Sequence, residues 1–193
     1  MNYNYSNNII TQRWNDKCKT LLYETKEQLK KLEDIDVKAY QLKRLKKDKD
    51  YPKKGDVFQL KTCNDIILYG VVINNHINNI NGNDLLVIVI FKQNFPIDNI
   101  QNISIGINDI LIFPEIVGSE YWKKGFFSTI KNVSEIKIKD YGFYSITRMQ
   151  FFDEYGNVLE NKPELLGVFS VATISGIAFE ITEELIINGC IEI

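Results

Sequence analysis

From about Arg13 to Lys47 the chain contains neither glycine nor proline, and Lys, Glu, Gln and Leu dominate it. A stretch of that composition predicts helix. Stepping by three and four gives Cys18, Leu21, Thr25, Gln28, Leu32, Ile35, Ala39 and Leu42, a seam only partly apolar. Polar Thr25 and Gln28 at its middle argue against an isolated coiled coil and for packing on the rest of the chain. Asp34-Ile35-Asp36 is a candidate break, with Asp36 capping a second short helix. Lys43, Arg44, Lys46, Lys47, Lys49, Lys53 and Lys54 then form a basic cluster, diluted by Asp48 and Asp50, that reads as a solvated helix end closed by Pro52.

After Gly55 helical spacing gives way to short β-type runs separated by Asn, Asp and Gly. Residues 57–61 and 66–73 read as strands joined at Cys63-Asn64-Asp65, and 74–84 reads as a polar loop. Residues 85–91 are apolar on both faces, which marks a central strand covered from both sides and completes an antiparallel meander. Residues 94–108 show no assignable period. A strand at 110–113 is expected to stop at Pro114, which lacks a ladder donor. Further strands are expected at 141–152 and 165–174. Asp153 to Asn157 forms a turn into Val158 and Leu159, with Gly156 supplying a positive φ. The tail 176–187 fits a short helix from about Thr182. The expectation is an α+β fold: a curved, partly barrel-like antiparallel sheet with an N-terminal helical segment (1–51) and a β-rich domain (52–193) ending in a short helix.

At 193 residues and 45% hydrophobic, the chain has material for a core burying roughly 70% of its unfolded surface. Residues 1–19 hold no apolar run suited to a signal peptide, and the longest run, 85–91, is far short of the roughly 20 residues of a membrane helix. No membrane partner is expected. Three scattered cysteines, Cys18, Cys63 and Cys190, without C-x-x-C spacing, suit a reducing cytoplasm and read as small apolar side chains.

Catalytic constellations find little material. His76, the one histidine, sits in the expected loop 74–84, so imidazole-based triads and zinc sites have one ligand at most. Gly82 has no companion glycines or following lysine to cradle a phosphate. Carboxylates adjoin at Asp153/Glu154 and Glu183/Glu184, a pairing capable in principle of hydrolysis, yet neighbours on a strand point to opposite faces. No catalytic residue, metal or cofactor is therefore expected.

Net charge −2 hides an asymmetry: residues 1–54 carry 14 Lys/Arg and 8 Asp/Glu, whereas the remaining 139 carry 9 and 17. An acidic domain repels nucleic acid and favours a basic partner. Tyr121, Trp122, Phe126 and Phe127 cluster around Lys123, Lys124 and Gly125. The cluster fits core anchors at a tight turn, a protein-binding hot spot or a base-stacking platform.

Pro52-Lys53-Lys54-Gly55-Asp56-Val57-Phe58, Tyr69-Gly70-Val71-Val72, Phe113-Pro114, Gly118 and Trp122-Lys123-Lys124-Gly125 stand in an order that resembles the bacterial immunity protein 26 family over roughly residues 52–190. The resemblance implies a stoichiometric inhibitor that protects a cell from a cognate toxin by occluding it. If that toxin is a basic nuclease, Asp153, Glu154, Glu160, Glu183 and Glu184 offer an acidic face, with Asp56, Tyr121 and Trp122 as further contact candidates. The rival expectations are a nucleic-acid-binding regulator using the 43–54 cluster and a hydrolase using Asp153 or Glu154.

Overall fold

The computed structural model describes residues 8–97 and 101–193. Its centre is an open, antiparallel five-stranded sheet in the order β5-β3-β2-β1-β6, formed by β1 (Asp56–Lys61), β2 (Ile67–Asn79), β3 (Gly82–Phe91), β5 (Ile110–Val117) and β6 (Phe127–Asn132). Strands β1, β2 and β3 form the expected meander, with Val57 opposite Val71 and Val71 opposite Val89. A second sheet, β10-β9-β8-β11, is built from β8 (Tyr141–Ser145), β9 (Gln150–Phe152), β10 (Val158–Leu159) and β11 (Leu165–Val168). Strand β4 (Asn102–Ile105), within the unassigned 94–108 stretch, pairs with β7 (Glu135–Ile138). The fold is α+β. No sheet closes into a barrel, and the β4–β7 and β8–β11 pairings are parallel exceptions to the antiparallel rule.

Alternation along the central strands builds two cores. Phe58, Leu60, Leu68, Val72, Leu86, Ile88 and Ile90 face one side, where α4 (Ile174–Ile187) lays Ile177, Ala178, Ile181 and Leu185 against them. Val57, Val71, Ile73, Val87, Val89 and Phe91 face the other, covered by Phe143, Phe152, Leu165 and Phe169 of the second sheet and its flanks and by Ile103 and Ile105 of β4. This double cover is why residues 85–91 read as an unbroken apolar run. The short helix α3 (Glu120–Lys123) delivers Tyr121 and Trp122 into the first core, where Trp122 meets Phe58 and Phe127 edge-on at ring-centroid distances of 5.1 and 5.2 Å.

The N-terminal region is helical only as far as Ala39, and it carries a break beyond the one expected at Asp34-Ile35-Asp36. It comprises α1 (Ile9–Thr20), α2 (Tyr23–Asp34) and a 3-10 turn at Val37–Ala39. Asn8 caps α1 by accepting from the Ile10 and Thr11 amides. The break falls at Leu21 and Leu22, both extended, and turns Leu29 and Leu32 of α2 onto Ile186 of α4. Asp36 does cap a turn, accepting from Lys38 N at 2.8 Å. Beyond Tyr40 the chain is an extended strap: Lys43 bridges Lys61, Leu45 N donates to Gly125 O, and Asp48 N donates to Trp122 O. The basic cluster is thus no helix end, because tertiary hydrogen bonds outweigh local propensity.

Further boundaries moved: the expected strand 141–152 is a hairpin of β8 and β9 turning at residues 146–149, and the expected strand 165–174 ends at Val168. Residues 74–84 form no loop, since β2 runs to Asn79 and β3 begins at Gly82, with register shifts and left-handed backbone at His76 (φ 54°) and Asp84 (φ 56°). Pro114 lies inside β5, an edge strand whose register against β3 is irregular and so tolerates the missing donor. Helix α4 begins at Ile174, eight residues before Thr182, because the Thr173 hydroxyl caps it by accepting from Gly176 N at 3.0 Å. Gly156 has the expected positive φ (92°) in the β9–β10 turn. No described helix is long and apolar enough to cross a membrane.

Gly70 lies opposite Phe58, whose ring crosses it: a Cβ at 70 would sit 2.4 Å from the Phe58 ring and 2.6 Å from Val89 O. Gly70→Ala is expected to cost about 1–3 kcal/mol through overpacking, read as a shifted urea midpoint. An unchanged midpoint would contradict this packing.

Candidate functional site

Helix α4 turns one stripe to the core and a different one, Glu180, Glu183 and Glu184, toward α1. Spacings of three and four put these carboxylates on one helical face. Glu115, the lone acid in the otherwise apolar β5, comes from the sheet, and Arg13 and Lys17, one turn apart on α1, come from above. Together they line a half-open cleft of about 230 Å³ whose remaining walls include Trp14, Phe113 and Val168.

The polar groups of the cleft are unevenly matched. Lys17 forms an ion pair with Glu184, with Nζ 2.6 Å from Oε2. Arg13 lies 3.7 Å over the Phe113 ring and donates to Leu166 O at 2.6 Å. The Glu115 carboxylate is in a residue only 6% exposed and forms no hydrogen bond or ion pair with a described residue; the same is true of Glu180 and Glu183. No fully enclosed side-chain oxygen among the described residues lacks a partner, so the Glu115 oxygens face accessible space, which is the cleft they line.

Burial raises the Glu115 pKa well above the carboxylate range, and the charge of Glu180 adds to the rise. Glu180 is raised by burial against the opposing pull of Arg13. Glu183 is pushed up to about 7 by burial, then by Glu180 and Glu184. Arg13 is lowered by burial, an effect its glutamate neighbours oppose. Chemically, this is a desolvated, acid-rich recess with aromatic walls. No three His, Cys, Asp or Glu side chains among the described residues converge to hold a metal ion.

Of the eight contact residues expected from sequence, Glu183 and Glu184 line this cleft and Asp56, Tyr121, Trp122, Asp153, Glu154 and Glu160 do not. Tyr121 and Trp122 are core residues at 0% exposure, the Tyr121 hydroxyl donating to Ala172 O and the Trp122 indole to Thr129 Oγ1, so neither forms part of a contact surface. Glu154 is buried, accepting from Asn74 Nδ2 at 2.7 Å and the Tyr141 hydroxyl at 2.6 Å, which fastens the β9–β10 hairpin to β2. Asp153 holds its own turn by accepting from the Tyr155 and Asn157 amides. Asp56 is half-buried and accepts from Lys53 N and Asn132 Nδ2 at the start of β1. Glu160 is exposed. Glu183 and Glu184, noted from sequence as an acidic pair, do reach the cleft.

His76 stands at an exposed bulge, its Nδ1 2.7 Å from Asp84 Oδ1 and its ring stacked on Tyr51 at 4.5 Å. The Tyr51 hydroxyl is pushed up to about 12, chiefly by burial. The three cysteines are free thiols.

The members of the cleft that sequence reasoning missed are Arg13, Lys17, Glu115 and Glu180. Their signals were present: an i, i+4 cation pair, an i, i+3, i+4 glutamate set, and a single acid inside an apolar strand. No family model matches the chain, and no curated protein or solved structure matches it.

A carboxyl group with a raised folded-state pKa favours the fold while protonated. The Glu183 contribution is complete below about 4.5, its ordinary value, and is lost as pH rises through about 7. Glu115 and Glu180 act in the same sense. Stability is therefore expected to fall from pH 5 to pH 8, and Glu183→Gln should reduce that slope mainly by stabilising the protein at pH 8. Melting temperatures at both pH values check this, and an identical slope in the variant refutes it.

Proposed function

We propose that this chain is a stoichiometric protein-binding inhibitor, an immunity protein that neutralises a cognate bacterial toxin by covering it. The observation carrying the reading is the cleft: four glutamates from two elements around one recess, three of them without a hydrogen-bonding partner among the described residues. Buried, unmatched carboxylates are poor stabilisers, whereas a desolvated acidic recess is a strong recognition element for a basic partner. The order of sequence motifs from Pro52 to Gly125 supports the immunity reading. Engagement here would cover a basic surface of the toxin, such as a nuclease's substrate groove, without any bond being made or broken.

The test is co-expression of this chain with the polypeptide encoded beside it, paired with affinity capture. Rescue of growth, together with a one-to-one complex weakened by Glu115→Gln plus Glu180→Gln, is the expected result. A neighbour that is harmless alone, or that is neutralised without any complex, excludes it.

One observation favours a second reading, a nucleic-acid-binding regulator. Hydrogen bonds from Leu45 and Asp48 to the α3 turn bring the strap cations Arg44, Lys46 and Lys47 beside exposed Lys123 and Lys124, joining two basic segments distant in sequence. Binding of that kind falls steeply with salt. Under the inhibitor reading, mixed-sequence DNA and RNA at about 50 mM salt are not retained by the protein; retention that is lost on replacing Lys46, Lys47, Lys123 and Lys124 would favour the regulator.

A further inference from the structure

We infer that the cleft beneath α1 is a binding site for a primary alkylammonium group, whether a free aliphatic amine or a lysine side chain of a partner. The inference deepens the reading above and rests on it for the lysine source alone, since the chemistry of the cleft is testable with no partner present.

Charge matching sets the sign of the ligand. Lys17 is satisfied by Glu184, and Arg13 balances one of Glu115, Glu180 and Glu183. Two negative charges are left unbalanced when all three ionise. Glu115 is the decisive group: it is more than nine-tenths buried, without a hydrogen bond, and its oxygens face the recess. A side chain so placed awaits a donor.

Shape and donor geometry narrow the class. An ammonium head is a compact charge with three N–H donors; one can go to Glu115, which accepts from no described residue, and the rest to a neighbouring acceptor or to water. A guanidinium suits the cleft less well, because its planar stacking position over Phe113 is already held by Arg13. A divalent cation is disfavoured, since these acids do not converge as metal ligands. Ile10, Trp14, Ile112 and Val168 supply an apolar wall along which a butyl stem can lie, and the indole adds attraction for a cation passing near its face.

Protonation should be linked to binding. The charged and titratable groups at the recess are Arg13 and Lys17 from α1, Glu115 from β5, and Glu180, Glu183 and Glu184 from α4, with Cys18 of α1, Glu33 of α2 and the buried Tyr121 hydroxyl of α3 close enough to interact with them. Burial raises the proton affinity of Glu115, Glu180 and Glu183, so an entering ammonium competes with protons there and affinity rises from pH 6 to pH 8.

The experiment is isothermal titration of the full chain with n-butylamine and with lysine capped at both backbone ends, 1-butanol serving as the neutral isostere. Saturable one-to-one binding of the amine is expected, with none for the alcohol, and with proton release seen as a dependence of the heat on buffer ionisation enthalpy. Glu115→Gln and Glu180→Gln should each weaken binding about tenfold. Their melting curves verify folding, and Glu183→Gln replaces either one if it fails to fold. Binding of both ligands supports a site able to take a partner's lysine, and binding of butylamine alone supports a free-amine site. No saturable heat, equal response to 1-butanol, or full-strength binding in the glutamine variants overturns the inference. Toxin neutralisation without amine binding removes only this inference, whereas amine binding without neutralisation removes only the inhibitor reading.

Discussion

Strand β3 has to be covered on both faces, and the rest of the fold is arranged around that requirement. Val87, Val89 and Phe91 point one way and Leu86, Ile88 and Ile90 the other, all essentially without solvent contact. A two-faced apolar strand cannot lie at the surface of a simple two-layer domain. One face recruits α4 and the aromatic group of Phe58, Trp122 and Phe127; the other recruits the second sheet. The N-terminal helices form an outer tier: α2 packs on α4 through Leu29, Leu32 and Ile186, and α1 touches β5 and β11 through Arg13.

That layering gives the cleft its character. Helix α4 spends one stripe on the core and is left with a glutamate stripe facing α1, a helix that buries no residue completely. Much of the attachment of α1 is polar: Arg13 to Leu166 O, Arg13 over Phe113, and Lys17 to Glu184, with Trp14 as a partly buried apolar contact. Apolar residues on both sides would join α1 to α4 at no desolvation cost, and such replacements of buried ion clusters are often neutral or stabilising. Stability alone gives no reason for this composition, whereas recognition of a cation does.

The extent to which this was legible depended on whether local pattern and tertiary demand agreed. The β1-β2-β3 meander, the two-faced strand 85–91 and the turn at Gly156 were readable because alternation, apolar runs and turn chemistry all point the same way. The strap 40–54 was misread because its lysines and leucine favour helix locally, while its amides are taken by Lys61, Gly125 and Trp122, residues remote in sequence. Hairpin residues 74–84 were misread because their side chains are polar and the strand bulges at His76 and Asp84. The cleft was half legible: Glu183 and Glu184 stood out as a pair, but an early start for α4 is needed to align Glu180 with them. Nothing in a linear sequence brings Arg13 and Glu115 together.

Position decides what each set of charges contributes to an encounter. Strap lysines such as Lys46 and Lys47 are exposed, so their field extends into solvent but is screened within about 10 Å at ordinary salt. Burial raises the proton affinity of Glu115, Glu180 and Glu183, which weakens the field that the empty recess projects. A cation entering the proposed site would favour their ionised forms, in a medium where charge interactions are strong and salt penetrates poorly. In the proposed encounter, exposed charge would set how fast a partner arrives and which partners are repelled, while the cleft would set how long a cation-bearing partner stays. Under the proposal that the protein acts by occlusion, the second quantity would govern protection, and it would reside in Glu115 and the α4 stripe rather than in the overall acidity of the domain.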